Sequence, residues 1–240
     1  MLRDNVLSVL VQTHHPGNIG SAARALKTMG LRRLALVQAR DYPHEEATRL
    51  AAGAGDVLQA AQLSDSLQVT LADTRLVVAC TARPRGFDLP ELDAEQAAAL
   101  LVEQAALGPV AVLYGPERFG LSNEHLRPAR YRVTIPADPD YPSLNLAAAV
   151  QLISYEIRKA VLAQAGKAPR PARTLPPTRE MEGFYQHLQR AIYDAGFINR
   201  AHPGKIMEKL RFLFDRAEPD QSELNILRGI LASFERHIRP

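Results

Sequence analysis

Short apolar runs that alternate with helical segments constrain the fold of this chain more than any other feature. Runs typical of buried strands occupy residues 6–11, 34–37, 76–81, 110–114 and 132–135. Helical composition lies between them, most clearly at 20–29, before Gly30, and at 94–107, before Gly108. This alternation predicts an α/β fold, a parallel sheet flanked by helices on both faces.

From Asn145 onward the alternation of strands and helices stops, and the sequence predicts only helices and a linker. A long helix is predicted from Asn145, with an apolar stripe at Leu146, Val150, Ile153, Ile157 and Val161. Four prolines between 166 and 178 indicate an extended linker. Three further stripes predict three helices: Met181, Phe184, Tyr185, Leu188 and Ile192; then Ile206, Leu210, Leu213 and Phe214; then Leu224, Leu227, Leu231, Phe234 and Ile238. Asp220 with Glu223 resembles a capping box. We therefore predict a main domain over 1–165, a linker over 166–178 and a small helical extension over 179–240.

Composition limits the class of protein. No apolar run approaches the roughly 18 residues that span a bilayer, and the first residues lack a signal-peptide cleavage site. We therefore expect no membrane partner. The single cysteine, Cys80, cannot form an intrachain disulfide and is predicted to be a buried thiol on a strand, so a cytoplasmic location is expected.

The basic excess is concentrated in one place. Residues 1–165 hold 16 basic and 17 acidic residues, whereas 166–178 hold Lys167, Arg170 and Arg173 with no acid. Such a stretch permits phosphate binding, although a solvated basic linker explains the charge equally well.

A glycine-rich motif from His14 to Arg24 joins the first strand to the first helix. Asn18 and Arg24 follow the carboxyl end of a strand, where open α/β sheets bind ligands. Gly17 and Gly20 are predicted to let the backbone approach a ligand closely. Their G-x-x-G spacing does not match the G-x-G-x-x-G of dinucleotide sites. Because glycine-rich turns often open helices, this motif alone indicates little.

Two further motifs follow strands or precede the long helix. The strand ending at Tyr114 runs into Gly115-Pro116-Glu117 and then Gly120, which directs Glu117 toward the same edge of the sheet. The second is the string Tyr141-Pro142-Ser143-Leu144-Asn145, in which Ser143 or Asn145 could cap the long helix. Capping accounts for one of these two residues but not for the whole string.

Taken in order, the three motifs resemble the signatures of the SPOUT 2′-O-methyltransferases: N-x(6)-R, then G-x-E-x-x-G-[LI], then S-[LI]-N before a helix. The resemblance covers about residues 5–162, and the segment 81–85 with the C-terminal helices is similar to the tRNA-modifying branch. It implies a sheet with a C-terminal trefoil knot, a homodimer whose active sites are each built by two chains, and S-adenosyl-L-methionine as methyl donor. It also implies tRNA as substrate, methylated on the ribose of cytidine or uridine at anticodon-loop position 32.

The resemblance also implies roles for individual residues. The expected catalytic residues are Arg24, Asn18, Glu117, Ser143 and Asn145. The loops expected to hold the cofactor contribute Thr81, Ala82, Arg83, Tyr114, Gly115, Glu117, Ile135, Pro142, Ser143 and Leu144. RNA contacts are expected from Arg24, Arg83, Arg85, Lys167, Arg170 and Arg173. Because a guanidinium almost never loses its proton, Arg24 is expected to stabilise a developing alkoxide and orient a phosphate.

We expect no metal, because the sulfonium leaving group is already cationic and the pair His14-His15 lacks partner ligands. Four alternatives remain open from the sequence. They are a nicotinamide or flavin dehydrogenase, a non-catalytic RNA-binding module, a methyltransferase that acts on a base, and a 2′-O-methyltransferase for another tRNA or rRNA site.

Overall fold

The computed structural model describes residues 2–82, 89–164, 175–198 and 204–238. The chain divides into two compact units, Met1–Ala172 and Arg173–Pro240. The first contains, among its described residues, a seven-stranded sheet. Its strands are β1 Val6–Val11, β2 Arg33–Val37, β3 Gln62–Ser64, β4 Leu76–Cys80, β5 Glu91–Asp93, β6 Val110–Tyr114 and β7 Tyr131–Thr134.

The sheet is parallel throughout and has the order β3-β2-β1-β6-β4-β7-β5. The central strands β1, β4 and β6 are almost entirely buried, which is why they are continuous apolar runs in the sequence. The prediction of a parallel α/β sheet is confirmed. The edge strands β3 and β5 were not predicted, because each has three residues and no apolar pattern.

Helices flank this sheet. They are α1 Leu2–Asn5, α2 Pro16–Thr28, α3 Glu45–Ala51, α4 Gly55–Gln59, α5 Leu67–Leu71, α6 Ala94–Ala105, α7 Asn123–Leu126 and α8 Leu146–Gln164, with a 3₁₀ turn at Ala52–Ala54. α2 packs on α3 and α8, and α8 also packs on α6. Because β6 and β7 lie on either side of β4, the chain crosses over β4 between them. The knot implied by the resemblance stays a prediction.

α2 begins four residues before the predicted helix start at Gly20, because Pro16 occupies its first turn. Gly17 and Gly20 therefore lie inside the helix. A Cβ atom on Gly20 would lie 2.1 Å from the carbonyl oxygen of Ala47 in α3, and one on Gly17 would lie 2.8 Å from Leu50 Cδ1. The space that a side chain on either glycine would need is filled by α3. The close approach of a ligand to their backbone stays a prediction. The two glycines allow close packing of α2 against α3.

α8 follows the predicted pattern. Of the two candidate caps it is Asn145 that caps the helix, since its Oδ1 accepts hydrogen bonds from the backbone N–H groups of Ala147 (2.9 Å) and Ala148 (3.3 Å). The predicted stripe is confirmed, because Leu146, Val150, Ile153 and Ile157 are buried and Val161 packs against them.

The second unit contains α9 Thr178–Asp194, α10 Ile206–Ala217 and α11 Gln221–Ile238. Its core contains Met181, Phe184, Tyr185, Leu188, Ala191, Leu224 and Leu231. Asp220 and Glu223 form the predicted capping box, with N–H to carboxylate distances of 2.8 and 2.9 Å. Leu213 and Phe234 were predicted to face the core, but they are 47% and 58% exposed. The side chain of Ile238 lies outside the described residues.

Within the described ranges, no helix has both the length and the apolar character needed to cross a bilayer.

Candidate active site

A cavity of about 320 Å³ opens at the carboxyl ends of β4, β6 and β7. These three strands are neighbours in the sheet, so the loops that follow them converge at one edge. The lining comprises Cys80, Thr81, Ala82, Tyr114, Gly115, Pro116, Glu117, Gly120, Ile135, Pro142, Ser143, Leu144, Leu146 and Ala149.

Every described residue of the predicted cofactor set lines this cavity. Arg83, the remaining member, lies outside the described residues. Sequence reasoning missed five lining residues: Cys80, Pro116, Gly120, Leu146 and Ala149. Cys80, Pro116 and Leu146 are each adjacent in sequence to a predicted site residue, and Ala149 lies one helical turn after Asn145. Gly120 is the second glycine of the motif that contains Glu117.

The loop after β6 folds back tightly onto its own strand. A Cβ atom on Gly115 would lie 2.3 Å from the backbone nitrogen of Leu121, so no larger residue fits there without movement. Gly120 has a φ of +64°, a conformation that side chains rarely adopt. Its N–H donates to the carbonyl oxygen of Pro116 at 2.8 Å. The two glycines thereby close a compact loop that carries Glu117.

The carboxylate of Glu117 binds the connection between β1 and α2. Its Oε2 accepts the backbone N–H of His14 at 3.2 Å. Its Oε1 accepts the backbone N–H of His15 at 3.2 Å and the side-chain amide of Asn18 at 2.8 Å. Three donors therefore converge on one half-buried carboxylate and join two segments about 100 residues apart in sequence.

The pKa of Glu117 is lowered, although burial by itself raises it. The hydrogen bonds from Asn18 and from backbone N–H groups, including those of His14 and His15, outweigh the burial. The group is therefore an ionised acceptor at neutral pH. Because its oxygens are engaged by these donors, we interpret Glu117 as a positioning residue.

Asn18 extends the network to the third motif. Its Oδ1 accepts a hydrogen bond of 2.9 Å from Nδ2 of Asn145, and Oδ1 of Asn145 caps α8. One residue from each motif, Asn18, Glu117 and Asn145, thus belongs to a single hydrogen-bonded chain. Ser143 lies in the cavity wall beside this chain.

Arg24 lies apart from the cavity wall. Six residues after Asn18 on the same helix, it is about 9 Å further along the helix axis. Its side chain is exposed, and no hydrogen bond or ion pair to another described residue engages its guanidinium. An exposed cation of this kind is available to a phosphate or to a developing negative charge.

The floor of the cavity is neutral. Burial raises the pKa of the Cys80 thiol to about 12, and it raises the pKa of the Tyr114 phenol as well. Cys80 ends β4 as predicted, but it is partly and not fully buried because it lines the cavity. With its raised pKa the thiol stays protonated at neutral pH. A neutral floor beside an ionised carboxylate suits a ligand that has an uncharged ring system and a cationic end.

Other predicted sites fall outside this geometry. Arg83, Arg85, Lys167, Arg170 and Arg173, all expected to contact RNA, lie outside the described residues. Within the described part of the chain, no three His, Cys, Asp or Glu side chains come close enough to hold a metal ion.

Comparisons with known proteins match both units. Residues 5–155 match the SpoU rRNA Methylase family, and residues 179–240 match the C-terminal domain of the tRNA methyltransferase TrmJ. Two similar relatives are each called tRNA (cytidine/uridine-2′-O-)-methyltransferase TrmJ. The one from Photorhabdus laumondii is 47% identical over 97% of this chain and 98% of its own. The one from Salmonella typhimurium is 49% identical over 97% of both chains.

Solved structures also show similarity to methyltransferases of these two families. The crystal structure of TrmJ from Z. mobilis ZM4 is similar with a TM-score of 0.80 and 35% identity, over 95% of this chain and 98% of that one. A SpoU methyltransferase from Streptomyces viridochromogenes, solved with AdoMet, has a TM-score of 0.53 at 23% identity, over 67% of this chain and 62% of that one. At that identity the likeness shows the fold alone.

Proposed function

Because the chain belongs to the SpoU methylase family, and within it to the TrmJ-type proteins, we propose that it transfers a methyl group from S-adenosylmethionine to a ribose 2′-hydroxyl of tRNA. The acceptor is cytidine or uridine, as in the names of those relatives. We place the modified nucleotide at anticodon-loop position 32, as the resemblance to the tRNA-modifying SPOUT methyltransferases implies.

One observation carries this function: the cavity and the hydrogen-bonded chain Glu117–Asn18–Asn145 share one edge of the sheet. The cavity fits a nucleoside-sized cofactor. Its apolar wall includes Ile135, Leu144 and Leu146, and its polar groups are few and convergent. Neither a dehydrogenase nor a non-catalytic RNA-binding module accounts for all three motifs meeting at one place.

When bound, S-adenosylmethionine supplies a methyl group on a cationic sulfur, which leaves as a neutral thioether. The chain's task is then to hold the ribose and to assist removal of the proton from its 2′-oxygen. Glu117 and Asn145 hold Asn18 and the β1–α2 connection in place, so the start of α2 is rigid where the ribose arrives.

Arg24 is the residue whose interaction with the ribose oxygen changes during the reaction. The guanidinium of Arg24, which no hydrogen bond or ion pair to another described residue engages, carries a permanent positive charge. It therefore stabilises the oxygen as negative charge develops and binds the adjacent phosphate. This interaction strengthens only as the proton leaves, which is the condition for raising a rate instead of an affinity.

We expect a homodimer formed through α8. An exposed stripe of Ala148, Leu152, Tyr155 and Leu162 runs along the helix on the side away from its buried stripe. Of the alanines at 147–149, Ala148 is exposed on this side and allows close approach of a second helix, whereas Ala149 packs against the core and lines the cavity. Light scattering at micromolar concentration should give twice 26.4 kDa. A monomer at that concentration would refute this assembly.

The substrate also supports a cytoplasmic location, as does the free cysteine Cys80. The linker residues Lys167, Arg170 and Arg173, with Arg83 and Arg85, remain the proposed phosphate contacts. Contacts of this type make tRNA binding weaken steeply as salt rises.

The decisive experiment is transfer of labelled methyl from S-adenosylmethionine to total tRNA. Digestion and mass spectrometry should then locate the label on the ribose of one pyrimidine in the anticodon loop. Label on a base would indicate the base-methylating alternative. Label in rRNA but not in tRNA would indicate a different substrate.

A further inference from the structure

The carboxyl ends of β1 and β2 carry a matched pair of glutamines that the proposed chemistry does not use. Gln12 follows β1 directly and Gln38 follows β2 directly. Both have a left-handed backbone, with φ of +51° and +52°. This conformation is unfavourable for any residue with a Cβ atom. Since glycine would relieve it, a side chain retained at both positions suggests that the side chains have a role.

The two side-chain amides form an ordered chain. Nε2 of Gln38 donates to the backbone carbonyl of Asp65 at 2.9 Å, and Nε2 of Gln12 donates to Oε1 of Gln38 at 2.8 Å. A backbone carbonyl can only accept, so it dictates which way the Gln38 amide faces. Gln38 then dictates the orientation of Gln12. The structure therefore presents Gln12 with a defined donor and acceptor direction.

Part of the Gln12 amide is still available. Its Oε1 and its second N–H have no partner among the described residues. A donor beside an acceptor matches the Watson–Crick edge of a pyrimidine. Uracil offers the N3–H donor beside the O4 acceptor, and cytosine offers the N3 acceptor beside the N4 amino donor.

The location suits the base of a nucleotide whose ribose lies at the cavity. Gln12 is two residues from His14, whose N–H binds Glu117, so their Cα atoms are at most about 7 Å apart. β1 is also the strand at which the order of the sheet reverses, since β2 and β6 flank it. Ligands of open α/β sheets bind in the crevice at that point.

The surrounding charges argue against a phosphate at this place. Arg40, Asp41 and Asp65 are exposed here, so the negative charges outnumber the positive one. A neutral, hydrogen-bonding base edge fits such a surface better than an anion does.

We infer that Gln12, oriented by Gln38, binds the Watson–Crick edge of the pyrimidine whose ribose is methylated. This inference rests on the proposed function. Gln12 is then a specificity residue and Gln38 is a positioning residue. Because the orientation of the amide is set, one pyrimidine pairs with both of its available groups and the other with fewer, so both are methylated but with different kcat/KM.

The test uses two tRNA transcripts that differ only in carrying cytidine or uridine at the methylated position. Gln12→Gly removes the amide and relieves the left-handed backbone, so the fold is expected to be retained. It should lower kcat/KM on the preferred transcript by about 5- to 150-fold, the range for a bidentate base contact. The melting temperature should not fall, and calorimetric affinity for S-adenosylmethionine should be unchanged.

Gln38→Gly should bring the kcat/KM values on the cytidine and uridine transcripts closer together. Without Gln38, the Gln12 side-chain amide can rotate by half a turn and exchange its donor and acceptor. The matched control is Gln59→Ala. Gln59 is an exposed glutamine at the end of α4, and it precedes the amino end of β3, whereas Gln12 and Gln38 follow the carboxyl ends of their strands. A Gln12→Gly protein with kcat/KM within about twofold of wild type would overturn the inference, as would an unchanged cytidine-to-uridine ratio of kcat/KM in Gln38→Gly. Wild-type protein that forms no 2′-O-methylribose on either transcript would instead refute the proposed function.

Discussion

Replacing Glu117 with glutamine tests the network that joins the three motifs. The substitution keeps the shape of the side chain but removes its charge and turns one acceptor into a donor. A glutamine can keep its carbonyl at the position of Oε1, where it still accepts from His15 and Asn18. Its amide nitrogen then faces the backbone N–H of His14, which also donates. One hydrogen bond is lost and two become weaker.

The magnitude follows from these three contacts. A hydrogen bond to a charged group contributes about 1.5–3 kcal/mol, and bonds to neutral acceptors are roughly half as strong. Since Glu117 is only partly buried, solvent screens part of the charge. We therefore expect Glu117→Gln to lower the free energy of unfolding by about 2–4 kcal/mol at neutral pH.

The dependence on pH has a defined sign. The folded-state pKa of Glu117 lies below its ordinary value of 4.5. The stability it contributes is therefore fully present above pH 4.5 and is lost as the pH falls through the lower folded-state pKa. The gap between wild type and Glu117→Gln should shrink when both are measured at about pH 3.

Urea unfolding measures the free energy of unfolding directly. Calorimetry with S-adenosylmethionine measures whether the cavity still binds the cofactor. The matched control is Glu103→Gln, an exposed glutamate on α6, which should change stability by less than about 0.5 kcal/mol. If Glu117→Gln is as stable as this control at neutral pH, the network does not hold the two loops together. A gap that stays constant down to about pH 3 would likewise refute the assignment of the carboxylate.

Three further predictions concern the rate, the packing and the second unit. Arg24→Ala should slow single-turnover methyl transfer about 100- to 1000-fold with little change in S-adenosylmethionine affinity, and Arg24→Lys should rescue poorly; near-normal turnover in both would remove Arg24 from the mechanism. Gly20→Ala should lower the free energy of unfolding by about 1–3 kcal/mol, because its Cβ would lie 2.1 Å from the carbonyl oxygen of Ala47. The control is Gly53→Ala, whose Cβ would meet nothing within 4 Å. Equal melting temperatures for the two variants would contradict this packing. Deleting residues 166–240 should preserve S-adenosylmethionine binding and weaken tRNA binding in a salt-dependent way; if a filter-binding titration shows undiminished affinity, the extension has another role.

Local pattern was sufficient for much of this fold. The central strands are continuous apolar runs because both of their faces are covered, and the apolar stripe of α8 is recognisable from its spacing. The sequence left Ser143 and Asn145 both open as the cap of α8, and the structure decides for Asn145. The box of Asp220 and Glu223 is likewise readable within four residues. In each case the interacting groups are close together in sequence, so the periodicity or the cap contains the information.

The sequence failed where the deciding partner was distant or the signal was short. β3 and β5 have three residues each, and their pairing depends on the strand beside them. The role of Gly17 and Gly20 depends on α3, which no pattern within α2 reveals.

The candidate active site shows the same division between what the local sequence predicts and what depends on distant residues. The sequence by itself determined which residue types occur and in what order, including the motif residues Asn18, Glu117 and Asn145. Only the tertiary structure decided that Asn18 bonds Glu117 and Asn145, which lie 99 and 127 residues away along the chain. It also decided that Gln12 and Gln38 pair at adjacent strand ends. Hydrogen bonds act over about 3 Å, and the parallel register that brings such groups within that distance is a property of the whole sheet.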